Sequence, residues 1–251
     1  MMVDTTSREI GNNLLRSLRK ADLELIRPHL EPFTSTIGQT LYSPGDNVQT
    51  VYFPCGPSLL SYVVGLAEGK HVETLLVGRE GAIGGIVSEG HLPAFALCVV
   101  QHGGQFLKLE ARKLEELKRE SRAIRQVFAR YADCIMAQTF QAAACNAAHT
   151  IEQRTARWLI AAIDRTGEHE VPLTQEQMAG MLGIGRTYMS RVISALKERG
   201  ILATRRGGVL IADPEALQAL SCECHARVKE HFDTVLRGVY PNEEESAAQA
   251  Q

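Results

Sequence analysis

The sequence predicts an α+β chain in three parts: a strand-rich barrel or jelly roll, a long helix, and a C-terminal winged helix-turn-helix. Three observations carry this. Short apolar stretches separated by turn signals fill residues 37–109, a spacing typical of antiparallel all-β folds. Residues 110–148 contain neither proline nor glycine and are rich in strong helix formers. Residues 172–212 combine a helix cap, a glycine turn, a second helix and a basic hairpin tip.

The 251 residues, 45% hydrophobic and 22% charged, suffice for packed cores and do not fit a disordered or collagen-like chain. Apolar runs such as Leu75-Leu76-Val77 are too short to span a bilayer. The N-terminal MMVDTTSREI lacks the features of a secretory signal. The expected location is therefore the cytoplasm, with no membrane partner and with the six cysteines as reduced thiols.

Residues 1–109 are read as the first domain. Leu14, Leu15, Leu18, Leu23, Ile26 and Leu30 predict one or two short helices. Strands are expected at 40–42, 51–53, 59–64, 72–77, 95–100 and 105–109. Turns such as Ser43-Pro44-Gly45-Asp46 and Pro54-Cys55-Gly56-Pro57 divide them.

Residues 110–149 are read as a dimerisation helix. Ile124, Phe128, Tyr131, Ile135, Gln138 and Ala142 recur every three or four residues, as in a two-helix seam. The alternative is that this stripe packs against the chain's own barrel. Alanines 137, 142, 143 and 144 would let two helices approach closely.

Residues 150–240 are read as the DNA-binding domain. Thr150 and Gln153 fit a capping box that opens a helix closed by Gly167. Thr174 and Gln177 form a second box, and Gly183-Ile184-Gly185 supplies a tight turn. The next helix buries Met189, Val192, Ile193 and Leu196 and stops at Gly200. Its other face offers Arg186, Thr187, Tyr188, Ser190, Arg191 and Ser194. In a helix-turn-helix that face enters the major groove, where Arg186 and Arg191 suit guanine and Thr187 or Tyr188 a thymine methyl or a phosphate. Thr174 and Gln175, at the start of the first helix, complete the expected contacts. Arg205-Arg206-Gly207-Gly208 forms the tip of a wing suited to phosphates. Although the whole chain carries a net charge of -2, residues 172–212 hold six Lys/Arg against two acids, the footprint of a polyanion partner.

This order of parts resembles the Crp/Fnr family of bacterial transcription regulators over residues 10–225. The most specific stretches are 173–211 and 41–64, including Tyr42-Ser43-Pro44-Gly45-Asp46 and Val51-Tyr52-Phe53-Pro54. The resemblance implies a double-stranded β-helix sensory domain, a homodimer along the long helix and a palindromic operator on double-stranded DNA, with RNA polymerase a further partner. It carries base-reading roles onto Arg186 and Arg191. Thr187 stands where the family often has glutamate, so the preferred site is expected to differ.

Cyclic-nucleotide binders of the family use a Gly-Glu pair and, some ten residues on, an arginine. Here the matching segments read Ile83-Gly84-Gly85-Ile86 and Leu92-Pro93-Ala94-Phe95-Ala96. A buried phosphate without a countercharge is strongly disfavoured, so the expected effector is something other than cyclic AMP, or none. Iron–sulfur members place cysteines near the N-terminus, whereas the first here is Cys55. No cofactor or metal is expected. A redox- or metal-responsive alternative would draw on Cys145 and His149 with Cys222, Cys224 and His225. On one helix through 222–225, those last three would not converge. His71, His91 and His102 lack metalloenzyme spacing, and neither a phosphate loop nor a nucleophile elbow occurs, so no enzyme is expected. The acidic segment 241–251 is expected to be a disordered tail.

Overall fold

A computed structural model describes residues 10–67, 71–88, 90–237 and 239; the expected tail at 241–251 lies outside them. Two short helices, α1 (Asn13–Arg16) and α2 (Lys20–Ile26), precede the barrel. Asn12 caps α1 through Leu15 N, while its side-chain amide donates to the carbonyls of Pro54 and Gly81. That one buried side chain ties the N-terminus to the barrel.

The barrel strands are β1 (Glu31–Ser35), β2 (Thr40–Tyr42), β3 (Thr50–Pro54), β4 (Leu59–Gly65), β5 (His71–Val77), β6 (Leu97–His102) and β7 (Gly104–Glu110). They form two antiparallel sheets, ordered β1-β7-β3 and β2-β6-β4-β5. Leu60, Val77, Cys98, Val100 and Phe106 fill the space between them. The rings of Phe33, Tyr42, Tyr52 and Phe106 pack against one another at 5.5–6.1 Å between centroids. Strand β1 lies before the expected strands, and it contains Pro32, a residue that sequence patterns read against a strand. An edge strand tolerates it, and β1 is the edge. Strand β6 starts at Leu97, leaving Phe95 85% exposed.

The segment expected to be one helix is two, α3 (Ala111–Glu120) and α4 (Arg122–Ala148). Ser121 breaks it with an extended backbone. Its hydroxyl accepts from Ile124 N and donates to Asp22 Oδ1 at 2.6 Å. Serine competes with the helix in this way because its side chain can satisfy a free helix-end N–H.

The expected dimer stripe is also corrected. Ile124, Phe128 and Tyr131 are buried in the chain's own core with Val51, Phe53 and Leu114. Ile135 is half-buried against both barrel cores. The Gln138 amide donates to Leu76 O at 3.0 Å, and Ala142 is half-buried. Apolar periodicity reports a buried face without saying what buries it; here the chain's own barrel and the helices around it do. The opposite face of α4 leaves Met136 50% and Phe140 66% exposed.

Helix α5 (Ile151–Thr166) has the expected capping box at Thr150 and ends at left-handed Gly167. After it come β8 (Glu170–Val171), α6 (Gln175–Met181), α7 (Arg186–Glu198), β9 (Leu202–Arg205), β10 (Gly208–Ile211), α8 (Pro214–Leu220) and α9 (Cys224–Arg237). Helix α9 folds back along α4. Phe232 meets Tyr131 edge-on at 6.2 Å, and Arg130 donates to Val235 O at 2.8 Å.

The Tyr131 hydroxyl accepts from Ala82 N and donates to Ala82 O, both at 2.9 Å. Tyr131→Phe leaves two buried backbone groups unpaired, so urea unfolding should show a loss of about 1–3 kcal/mol with an unchanged denaturant slope.

Candidate nucleic-acid interface

The C-terminal domain is built on a core of Met178, Met181, Met189, Val192, Ile193, Leu196, Ile201, Val209 and Ile211. Thr174 caps α6: its hydroxyl accepts from Gln177 N, and the Gln177 side chain accepts from Thr174 N. The turn to α7 needs a left-handed residue, supplied by Gly183 at φ 69°. Half-buried Ile184 closes the corner through its N–H to Ala179 O.

Helix α7 begins without a side-chain cap. Because its apolar residues face the core, Arg186, Thr187, Tyr188, Arg191 and Ser194 are exposed, with Ser190 half-buried. Arg186 stands 3.7 Å from Glu176, both largely exposed. Such a surface pair is weak and leaves the guanidinium free to change partner. Thr174 is exposed with its hydroxyl committed to the cap, and Gln175 is half-buried.

The wing is a two-residue hairpin between β9 and β10, with Gly207 at φ 83° and Arg205 and Arg206 exposed. Strand β8, two residues long and below what periodicity can detect, makes it three-stranded by pairing Val171 with Val209. A side chain at Gly208 would put Cβ 2.4 Å from Val171 O, so that position admits only glycine.

Residues 153–220 match the Crp-like helix-turn-helix domain family. This chain carries a Crp-like helix-turn-helix domain. Its fold is that of solved Crp/Fnr regulators. FixK2 from Bradyrhizobium japonicum matches at a TM-score of 0.64 and 15% identity, over 77% of this chain and 98% of that one. A CRP-family transcriptional regulator from Thermus thermophilus gives 0.63 and 21% over 76% and 96%. The c-di-GMP-responsive global regulator CLP of Xanthomonas campestris gives 0.62 and 15% over 78% and 100%. At these identities the likeness concerns the fold. No curated protein matches the sequence. Among the described residues no helix is long and apolar enough to cross a membrane.

The Crp-like domain is held against the barrel by residues that sequence reasoning missed. Trp158 Nε1 donates to Glu73 Oε1 at 2.7 Å, and Ser61 donates to the other carboxylate oxygen. The Arg165 Nε–Glu80 Oε1 pair measures 2.7 Å, with Arg165 nearly buried. Leu59 and Leu76 of the barrel sit inside the Crp-like domain's own core. Trp158 and Glu73 are 85 residues apart, and no local pattern links them.

Where the family's cyclic-nucleotide cassette would lie, Gly84 has φ 115°, and a Cβ at Gly85 would meet Ala111 at 2.8 Å. A glutamate there would collide with α3. The backbone of Ala94 pairs with Gly45 and Asp46.

The cysteine candidates also need correction. Residues 221–223 are not helical, so the chain does not run through 222–225 as one helix. Cys222 and Cys224 therefore converge with Cys145 and His149. His225 points away, 2.8 Å from Asp164 Oδ2.

Burial pushes the Glu73 carboxyl up to about 7, against the hydrogen bonds from Ser61 and Trp158 and the charges of Arg157 and Arg165. The folded chain thus holds a proton that the unfolded chain releases above its ordinary value of 4.5. That contribution to stability is complete below the unfolded value and is lost as pH rises through the folded one. Glu73→Gln keeps an acceptor for Trp158 and removes the titration. Its urea midpoint should exceed that of the parent protein at about pH 8, and the gap should close towards about pH 4.5. Parallel pH profiles would contradict this.

Proposed function

We propose that this protein is a sequence-specific transcription regulator that binds a palindromic operator as a homodimer. The observation that carries the reading is the single outward face on which Arg186, Thr187, Tyr188 and Arg191 stand over a buried stripe, flanked by the Arg205–Arg206 wing. Donors on the first turns of a recognition helix reach base edges, and wing arginines suit phosphates. The effector is something other than cyclic AMP, or none. The glycine packing at 84–85 and the aromatic filling of the barrel both support that.

Electrophoretic or fluorescence titration against a selected operator tests the DNA reading. Arg186→Ala or Arg191→Ala should cost about 1–3 kcal/mol per half-site and relax preference at one base position. Arg205→Ala with Arg206→Ala should weaken operator and scrambled DNA alike, flattening the log K against log salt slope by about 0.9 per lost contact. Unchanged binding in all variants would remove the face from this role.

The dimer seam we assign is the outward face of α4. Met136 and Phe140 are exposed there, with Ala129, Ala143 and Ala147 on the same helical face, also exposed. Large apolar side chains on one face of a long helix fit a coiled-coil-like partner, and the flanking alanines allow close approach. Met136→Glu with Phe140→Glu should give a folded monomer by sedimentation and abolish tight operator binding. A dimer that persists in this variant would place the seam elsewhere.

A further inference from the structure

Two segments 77 residues apart meet in one buried spot beside the bend between α4 and α5. Cys145 lies in the last turn of α4 and is fully buried; His149 caps that helix with its N–H on Cys145 O. Cys222 lies between α8 and α9, and Cys224 begins α9; both are buried. Cys145 Sγ is 3.6 Å from Cys222 Sγ, and Cys224 Sγ is 3.5 Å from His149 Nδ1. All four ligand atoms lie within 4.8 Å of one another. We propose that Cys145, His149, Cys222 and Cys224 form a closed site for a single zinc ion that staples the α4–α5 bend to the start of α9.

Geometry supports a single ion. With zinc–sulfur bonds of about 2.3 Å, two thiolates of a tetrahedral site stand roughly 3.8 Å apart. The two short separations already match that edge, and the longest needs to close by about 1 Å. Three thiolates and an imidazole are a soft set that favours zinc. Four protein ligands leave no open position, the mark of a structural rather than a catalytic ion. An iron–sulfur cluster spreads its cysteines around several metal and sulfide atoms and needs a wider cage.

The surroundings fit as well. His149 turns Nδ1 inward, and its Nε2 faces outward with the Glu223 carboxylate 3.8 Å away, a gap that a small side-chain shift would close to the carboxylate contact metal-bound histidines commonly make. Gln141 Nε2 donates to Cys224 Sγ at 3.1 Å, a bond that favours the thiolate. Three thiolates around a divalent ion leave one net negative charge. Arg154 and Arg157 of α5 stand close enough to act electrostatically on Cys145, and the buried Nε of each has no hydrogen-bond partner. An ordinary apolar contact explains the spot poorly. Among the described residues this buried cluster consists of the three cysteines, with no aliphatic side chain packed into it.

The test does not depend on DNA binding. Full-length protein purified without oxygen should contain one zinc ion per chain by elemental mass spectrometry. After chelation, cobalt(II) should restore the intense visible bands of a tetrahedral thiolate site. Cys145→Ser and Cys222→Ser should each lose the metal, while His225→Ala, adjacent but outside the site, keeps its full complement. Because a cysteine variant could fail to fold, the cobalt titration of the parent chain stands as its own criterion. Trace metal with no cobalt bands would overturn the proposal. So would stoichiometric iron or copper, a Cys145–Cys222 disulfide in the oxygen-free protein, or full zinc in both serine variants.

Discussion

The arrangement of this molecule depends on the junction between barrel and Crp-like domain, where Arg165 pairs with Glu80 and Trp158 bonds to Glu73. Polar groups withdrawn from water must find partners, and breaking one member of a buried ion pair strands the other. Here the partners come from opposite domains. The Gly78 backbone is fitted to the pair: its N–H donates to both Glu80 oxygens, and a Cβ there would lie 2.6 Å from Arg165. Leu59 and Leu76 add apolar contact across the same boundary. Helix α7 thus belongs to a domain whose position is set by the barrel.

Helix α4 serves both sides of that arrangement. Its inner face supplies Ile124, Phe128 and Tyr131 to the barrel core and Gln138 to the junction. Its outer face keeps Met136 and Phe140 exposed. Intrachain packing thus covers the inner face with the barrel and a neighbouring side with α9, and leaves the outer face to solvent. A change on the inner face would act through folding, whereas one on the outer face would leave the core intact.

The C-terminal helix links these features. By lying along α4, with Phe232 on Tyr131, α9 brings Cys224 to the end of α4 and Lys229 and His225 to Asp164 of α5. The bend between the barrel side and the helix-turn-helix domain is therefore braced by a segment beyond the Crp-like match at 153–220. Any ion held there would stiffen the point about which the two domains could move.

The helix-turn-helix was legible because its signals are local. Caps at Thr150 and Thr174, left-handed glycines at 183, 200 and 207, and a four-residue apolar stripe each act within a few residues. The strands were legible for the same reason, apart from β1 in the barrel and β8 beside the wing, where a proline and a length of two residues hid the pattern. The sequence by itself determined these elements and the outward placement of Arg186, Arg191 and the wing arginines, since helical and hairpin geometry leave them no other side. It could not tell which surface covers the α4 stripe, because periodicity marks a face and not its partner. Nor could it foresee that Ser121 and residues 221–223 interrupt helices, since serine and short polar gaps also occur within them. Tertiary structure decided those points, and with them the convergence of Cys145 with Cys222 and of Trp158 with Glu73. Contacts across 77 and 85 residues are fixed by how whole elements pack.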